Sequence, residues 1–159
     1  MDNYTLKNYL LFIDSLTELK HIDVHLAKTP IQEKRWSIKE IIAHIYRWDI
    51  FLLEVAIPSA LHERIIHFPS HDEYNFASQK FAATISFSQL VHTSIVTRKQ
   101  LITDLLNMKD SILEPITINN NTHCPKTNER YTVLYLMSEF VEHDQHHLAQ
   151  IKQFLSQQK

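Results

Sequence analysis

Glycine is absent from this 159-residue chain. Average usage is about 7%, and tight β-hairpin turns depend on it for positive φ. Its absence disfavours a β-rich fold and any glycine-rich loop that cradles phosphate. A helical bundle can end its helices with asparagine or polar loops instead. Cysteine occurs once, as Cys124, so no internal disulfide can form and a cytoplasmic, reducing location is expected. No run of about 18 apolar residues is present, so no membrane partner is expected. The opening stretch MDNYTLKNYLLFIDSLTELK starts acidic and lacks the pattern of a cleavable signal. A formal net charge of -2 argues against nucleic acid as the main partner. The length fits one domain spanning 1–159, large enough to bury about two thirds of its unfolded surface.

What is present is helical periodicity throughout. Leu6, Tyr9, Leu10, Ile13, Leu16 and Val24 share a face, predicting a first helix over 3–26 that ends at Pro30. Ser37 with Glu40 is a capping box for a second helix, and Trp36 before the cap is placed to pack on Ile41 as a hydrophobic staple. That helix is expected to reach Ala56 and meet Pro58, with 58–72 a connection. EYNFASQKFAA reads as a short helix. Ser86 with Gln89 repeats the capping pattern and opens a third long helix to Met108, with Leu90, Ser94, Leu101, Leu105 and Met108 inward. A second long connection, EPITINNNTHCPKTN, precedes a last helix over 129–155. The expected fold is all-α, a four-helix bundle whose long connections permit crossovers.

Histidine is the abundant anomaly, with eleven residues. Three pairs stand at i, i+4, the spacing that shares a helix face: His21/His25, His67/His71 and His143/His147. On the last helix His147 falls inside the apolar arc, His143 on its edge, and His146 points to water. On the second helix His44 lies near one edge of a broad apolar arc. His21 and His25 lie on the flank of their stripe, His67 and His71 bracket Pro69, and His92 lies opposite its helix's inner face. Three imidazoles buried without a common partner would leave several polar nitrogens to satisfy. One divalent metal satisfies three of them, so His44, His143 and His147 are the expected metal ligands.

Asp144 and Asp49 also point inward. Either could orient a ligating histidine through its second N–H, or cap a helix, or pair with a nearby Arg or Tyr. The stretch HDQHH resembles the H-E-x-x-H of zinc proteases, but Asp144 faces the core rather than an open coordination position. Trp48, Phe51 and Tyr46, near His44, are candidates to line a ligand pocket. Cys124 in a loop is read as neither ligand nor redox thiol.

RWSIKEIIAHIYRWDIFLLE and EHDQHHLAQI together resemble the DinB-like superfamily, which includes the YfiT-type metal-dependent hydrolases. The family pattern W-S-x-x-E-x-x-x-H matches at Trp36, Ser37, Glu40 and His44, and H-x-x-x-H matches at His143 and His147. The resemblance implies an up-down-down-up bundle, a three-histidine metal site and a homodimer. Relatives include thiol S-transferases and the metal-binding domain of a mycothiol-dependent isomerase. A sister group gives self-protection against a genotoxin.

Three neutral imidazoles suit a divalent transition metal, zinc or nickel first, with iron, cobalt or manganese as alternatives. Zinc in such a site lowers the pKa of bound water to about 7, and it would lower that of a low-molecular-weight thiol in the same way. Hydrolysis of a small-molecule substrate and thiol transfer are both expected chemistries. The alternatives are a non-catalytic binding or protective bundle, which would use the cavity without metal, and a bare interaction scaffold.

Overall fold

The protein is described by a computed structural model covering residues 3–158. Four long helices make the frame: α1 (Asn3–Leu19), α3 (Ile38–Phe51), α6 (Phe87–Asn107) and α7 (Val133–Ser156). Short helices α2 (Val24–Ala27), α4 (Ile57–Glu63) and α5 (His71–Ala82) lie between them, with two-residue strands β1 (Ile65–Ile66) and β2 (Thr117–Ile118).

The buried apolar residues fall into two halves, and the chain visits them in an order that fixes helix direction. One half holds Leu6 and Tyr9 of α1, Phe51 of α3, Leu101 and Leu105 of α6, and Met137 of α7. The other holds Phe12 and Leu16 of α1, Ile41 and Ile45 of α3, Leu90 of α6, and Ile151 and Phe154 of α7. So α1 and α7 run from the first half to the second, while α3 and α6 run from the second to the first. That is the expected up-down-down-up order, in an all-α bundle. Two successive helices pointing the same way need a return path, and α4, β1 and α5 supply it. β1 pairs in parallel with β2, Ile65 with Thr117 and Ile66 with Ile118, which ties the two long connections together.

Local chemistry sets the boundaries. Ser37 Oγ accepts from Glu40 N at 3.2 Å and Glu40 Oε1 accepts from Ser37 N at 3.1 Å, the complete capping box that starts α3. Ser86 Oγ accepts from Gln89 N at 3.1 Å and starts α6. Three boundaries differ from expectation. α1 ends at Leu19, because Asp23 accepts from Leu26 N at 3.0 Å and caps the separate α2. α7 begins at Val133 rather than 129, because Tyr131 is tied to the connection (its N–H to Thr122, its carbonyl from Ile116 N) and Thr132 caps. The second helix does not end at Ala56: it passes through a π-helical turn, Leu52–Ala56, into α4, with Pro58 in the first turn of α4. A proline cannot donate to the carbonyl four residues back. The wider π turn absorbs that lost bond without breaking the rod.

Among the described residues six have positive φ: Lys34, Arg64, Lys109, Asn119, Asn120 and Asn128. Asparagine tolerates this region best after glycine, and it fills three of the six places in a chain that has no glycine.

Candidate metal centre

A buried polar layer separates the two apolar halves. At its heart Arg98 of α6, fully buried, donates Nε to Asp49 Oδ2 at 2.7 Å and Nη1 to Asp144 Oδ2 at 2.8 Å. Nη1 also donates to the Tyr9 carbonyl at 2.8 Å, and Tyr9 Oη donates to Asp49 Oδ1 at 2.5 Å. Four helices thus meet at one guanidinium, which also lies 3.6 Å from the Tyr9 ring centroid. Burial raises the Tyr9 phenol well above its ordinary value. Burial also pushes Asp144 up to about 6, with Arg98 opposing. Of the readings open for Asp49 and Asp144, the hydrogen bonds match pairing with an Arg and a Tyr. Both carboxylates are spoken for by Arg98, and their hydrogen bonds go to it and to Tyr9.

The three expected ligands do converge. His44 Nε2 lies 2.9 Å from His143 Nε2, which lies 3.2 Å from His147 Nε2. One ligand atom from each of the three falls within 4.8 Å of the others. Tetrahedral donors about 2.0–2.1 Å from a zinc ion stand roughly 3.3 Å apart, which the 2.9 and 3.2 Å separations about His143 Nε2 match. Burial pushes His143 down to about 3, helped by His147, His44, His146 and Arg98. Burial pushes His44 down to about 4, with His147 adding to it and the Asn75 amide opposing. Burial also lowers His147, which Gln150 opposes. All three are neutral at pH 7, the form that offers a lone pair to a cation.

The tautomers follow from the surroundings. Gln150 Oε1 lies 2.9 Å from His147 Nδ1; a carbonyl oxygen only accepts, so Nδ1 carries the proton and Nε2 is free to ligate. Gln150 thus does for His147 what either aspartate could have done. His44 Nδ1 is buried and makes no hydrogen bond of good geometry. Trp36, expected to staple onto Ile41, lies with its ring centroid 4.8 Å from that of His44 and 6.5 Å from that of His147. The three-histidine cluster is thus poised to bind a divalent metal between α3 and α7.

His44 and His143 also line a cavity of about 440 Å³, a small-molecule volume. Trp48, Phe68 and Phe140 form its aromatic wall; Trp48 and Phe68 centroids are 5.9 Å apart and Phe68 stacks toward Phe140 at 6.5 Å. Of the expected pocket residues Trp48 is there, but Tyr46 is not. Tyr46 stacks on Phe81 at 5.7 Å in the other half of the core, because a two-residue step around α3 turns it away from the Trp48 face. Phe51 packs behind Trp48 at 5.7 Å and is likewise not a lining residue.

His21, His25, His62, His67, His92, His123 and His146 are exposed and stand outside the cluster. His71 is exposed too but lines the cavity, edge-on to Trp48 at 5.4 Å. Sequence reasoning did not find Asn75, Asn119, Lys126 and Glu139, which also line it. Only Glu139 carried a signal, standing four residues before His143 on the same face. Cys124 is buried, and hydrogen bonds from Tyr135 and Thr127 lower its thiol to about 7. It belongs neither to the histidine cluster nor to the cavity lining.

Among the described residues no helix is long and apolar enough to cross a membrane. The family model of the DinB superfamily matches residues 6–151. No curated protein matches the chain. Among solved structures, YfiT from Bacillus subtilis, described as a probable metal-dependent hydrolase with an unusual four-helix bundle topology, superposes with a TM-score of 0.76. The two are 14% identical, over 98% of this chain and 86% of that one. With the matched span covering most of its length, the chain belongs to the DinB superfamily.

Proposed function

We propose that the protein is a metal-dependent enzyme acting on a small molecule, a hydrolase or a thiol S-transferase, with His44, His143 and His147 holding one zinc or nickel ion. The observation that carries this reading is that two of the three converging imidazoles are also walls of the cavity, so a ligand in the cavity would lie beside an ion held by them. When bound, the ion supplies Lewis acidity that lowers the pKa of a coordinated water or thiol. The chain supplies the rest. Trp48, Phe68 and Phe140 exclude water from the ligand's apolar part. Glu139, one turn before His143 on the cavity wall, is placed to accept a proton. The YfiT likeness, described in the same terms, supports the hydrolase arm. The family resemblance supports a homodimer, which sedimentation would read directly, and the lone cysteine supports a cytoplasmic site of action.

Elemental analysis of protein purified without an affinity tag tests the reading. About one equivalent of transition metal is expected, and His147→Ala should lose it. Less than about half an equivalent, unrestored by added zinc or nickel, would leave a metal-free binding bundle as the better account, especially if ligands still bound after all three histidines were replaced.

A further inference from the structure

Two asparagines face the cavity with their amide orientation fixed by chemistry. Trp48 Nε1 lies 3.1 Å from Asn75 Oδ1. The backbone N–H of Phe68 lies 2.9 Å from Asn119 Oδ1. Indole and backbone N–H groups can only donate, so in both side chains the oxygen is committed to the protein. What each has left is its NH₂ group, a pure donor, and neither amide nitrogen has a hydrogen-bond partner among the described residues. Lys126, a third lining residue, brings an ammonium with three donors and joins no ion pair among the described residues. These three come from α5 and the second long connection, whereas His44, His143 and the one lining carboxylate, Glu139, come from α3 and α7.

From this arrangement we infer that Asn75, Asn119 and Lys126 recognise an oxyanion, so that the substrate is a small molecule bearing a carboxylate or phosphate on an apolar or aromatic body. Hydrogen bonds to an ionised acceptor are roughly twice as strong as neutral ones. A ligand without acceptor oxygens would leave the donor set unpaired on binding, and a neutral acceptor would gain less from it than an ionised one. Trp48, Phe68 and Phe140 provide a stacking surface for the body. The inference rests on the metal-enzyme reading for the reaction that follows, though not for the binding itself.

The donors can be inverted without disturbing their structural bonds. Asn75→Asp and Asn119→Asp keep an oxygen for Trp48 Nε1 and Phe68 N, and aspartate tolerates the positive φ of position 119. Each replaces only the outward donor by a negative acceptor. Calorimetric titration of the full chain, zinc-loaded and zinc-free, would use 3-phenylpropionate, phenyl phosphate and neutral 3-phenylpropan-1-ol as probes. At least one anion should bind tenfold or more tighter than the alcohol, in both forms of the chain, and the tighter anion assigns carboxylate or phosphate. Each aspartate variant should weaken that anion at least tenfold and Lys126→Gln at least threefold, with an unchanged Tm. Equal affinity for the alcohol, no binding of either anion, or aspartate variants that bind anions like the parent would each overturn the inference. A chain that takes up no zinc yet binds anions through these residues would sink the metal reading and keep this one. A chain whose anion affinity vanishes with zinc and ignores the substitutions would do the reverse.

Discussion

At the scale of single residues, Gln150 is the side chain whose role is easiest to isolate. Its Oε1 accepts from His147 Nδ1 at an N···O distance of 2.9 Å and so fixes which nitrogen faces the cluster. Partners of this kind are worth about 10–100-fold in metal affinity. Gln150→Leu should therefore lower zinc affinity by that factor while leaving Tm nearly unchanged, as competition with a chromophoric chelator would read. Wild-type affinity in the variant would mean that helix geometry alone orients the ring. The left-handed residues make a second point at this scale. Lys34, exposed and at φ 61, carries a Cβ in a region that costs a non-glycine residue roughly 1–2 kcal/mol. Lys34→Gly should raise stability by up to about 1 kcal/mol, after the entropy that glycine adds to the unfolded chain; urea denaturation at constant m-value is the check.

Between elements, the Arg98 cluster joins α1, α3, α6 and α7 at one point. Removing the cation strands two buried carboxylates. Arg98→Met should cost on the order of 3–5 kcal/mol, since breaking one side of a buried ion pair leaves uncompensated charge. Replacing the whole set, Arg98→Met with Asp49→Leu and Asp144→Leu, should recover much of that loss. A double- and triple-variant denaturation series would show it, and simple additivity would contradict the network. This cluster was half legible in the sequence. Two inward aspartates demanded a cation, and Arg98 stands four residues after Ser94 and three before Leu101, on the face already read as inner. What the sequence left open was which site each carboxylate serves, since an inward aspartate suits a histidine or an arginine equally. Adjacent residues on a helix point about 100° apart, so a neighbour in sequence served a different site. The capping boxes of α3 and α6 were legible because their donors and acceptors are local. The continuation through Pro58 was not, since it depends on a π turn that no short motif announces.

Across the whole molecule, the cavity shows where local patterns stop being informative. His44, His143 and His147 were found because each sits on a long amphipathic helix whose arc could be drawn. Asn75, Asn119 and Lys126 sit on α5 and a connection, where orientation comes from the β1–β2 pairing and from α5 folding back on α3. Those are tertiary facts, and residue spacing does not encode them. The fold as a whole also carries a pH dependence with a definite sign. His44 and His143 are held at about 4 and about 3 in the folded chain by burial, against about 6.5 when unfolded. Between those values the unfolded chain binds more protons, so stability rises with pH. The contribution is full above about pH 6.5 and is lost as pH falls toward the folded values. Asp144, raised to about 6 from about 3.9, works the other way between those two values, but two imidazoles outweigh one carboxyl. Thermal melts of metal-free protein should thus show Tm falling steadily from pH 7 to pH 4. A flat profile, or a rise on acidification, would mean the imidazoles are not held neutral by the fold.

The most direct measurement is X-ray absorption at the zinc edge on protein loaded with one equivalent of zinc. Three imidazole nitrogens at about 2.0–2.1 Å, with no sulfur shell from Cys124, is the expected spectrum, and the same zinc added to His147→Ala should give only the all-oxygen shell of unbound, hydrated ion. A shell with one imidazole or none, or a spectrum unchanged by the substitution, would contradict a metal held by His44, His143 and His147.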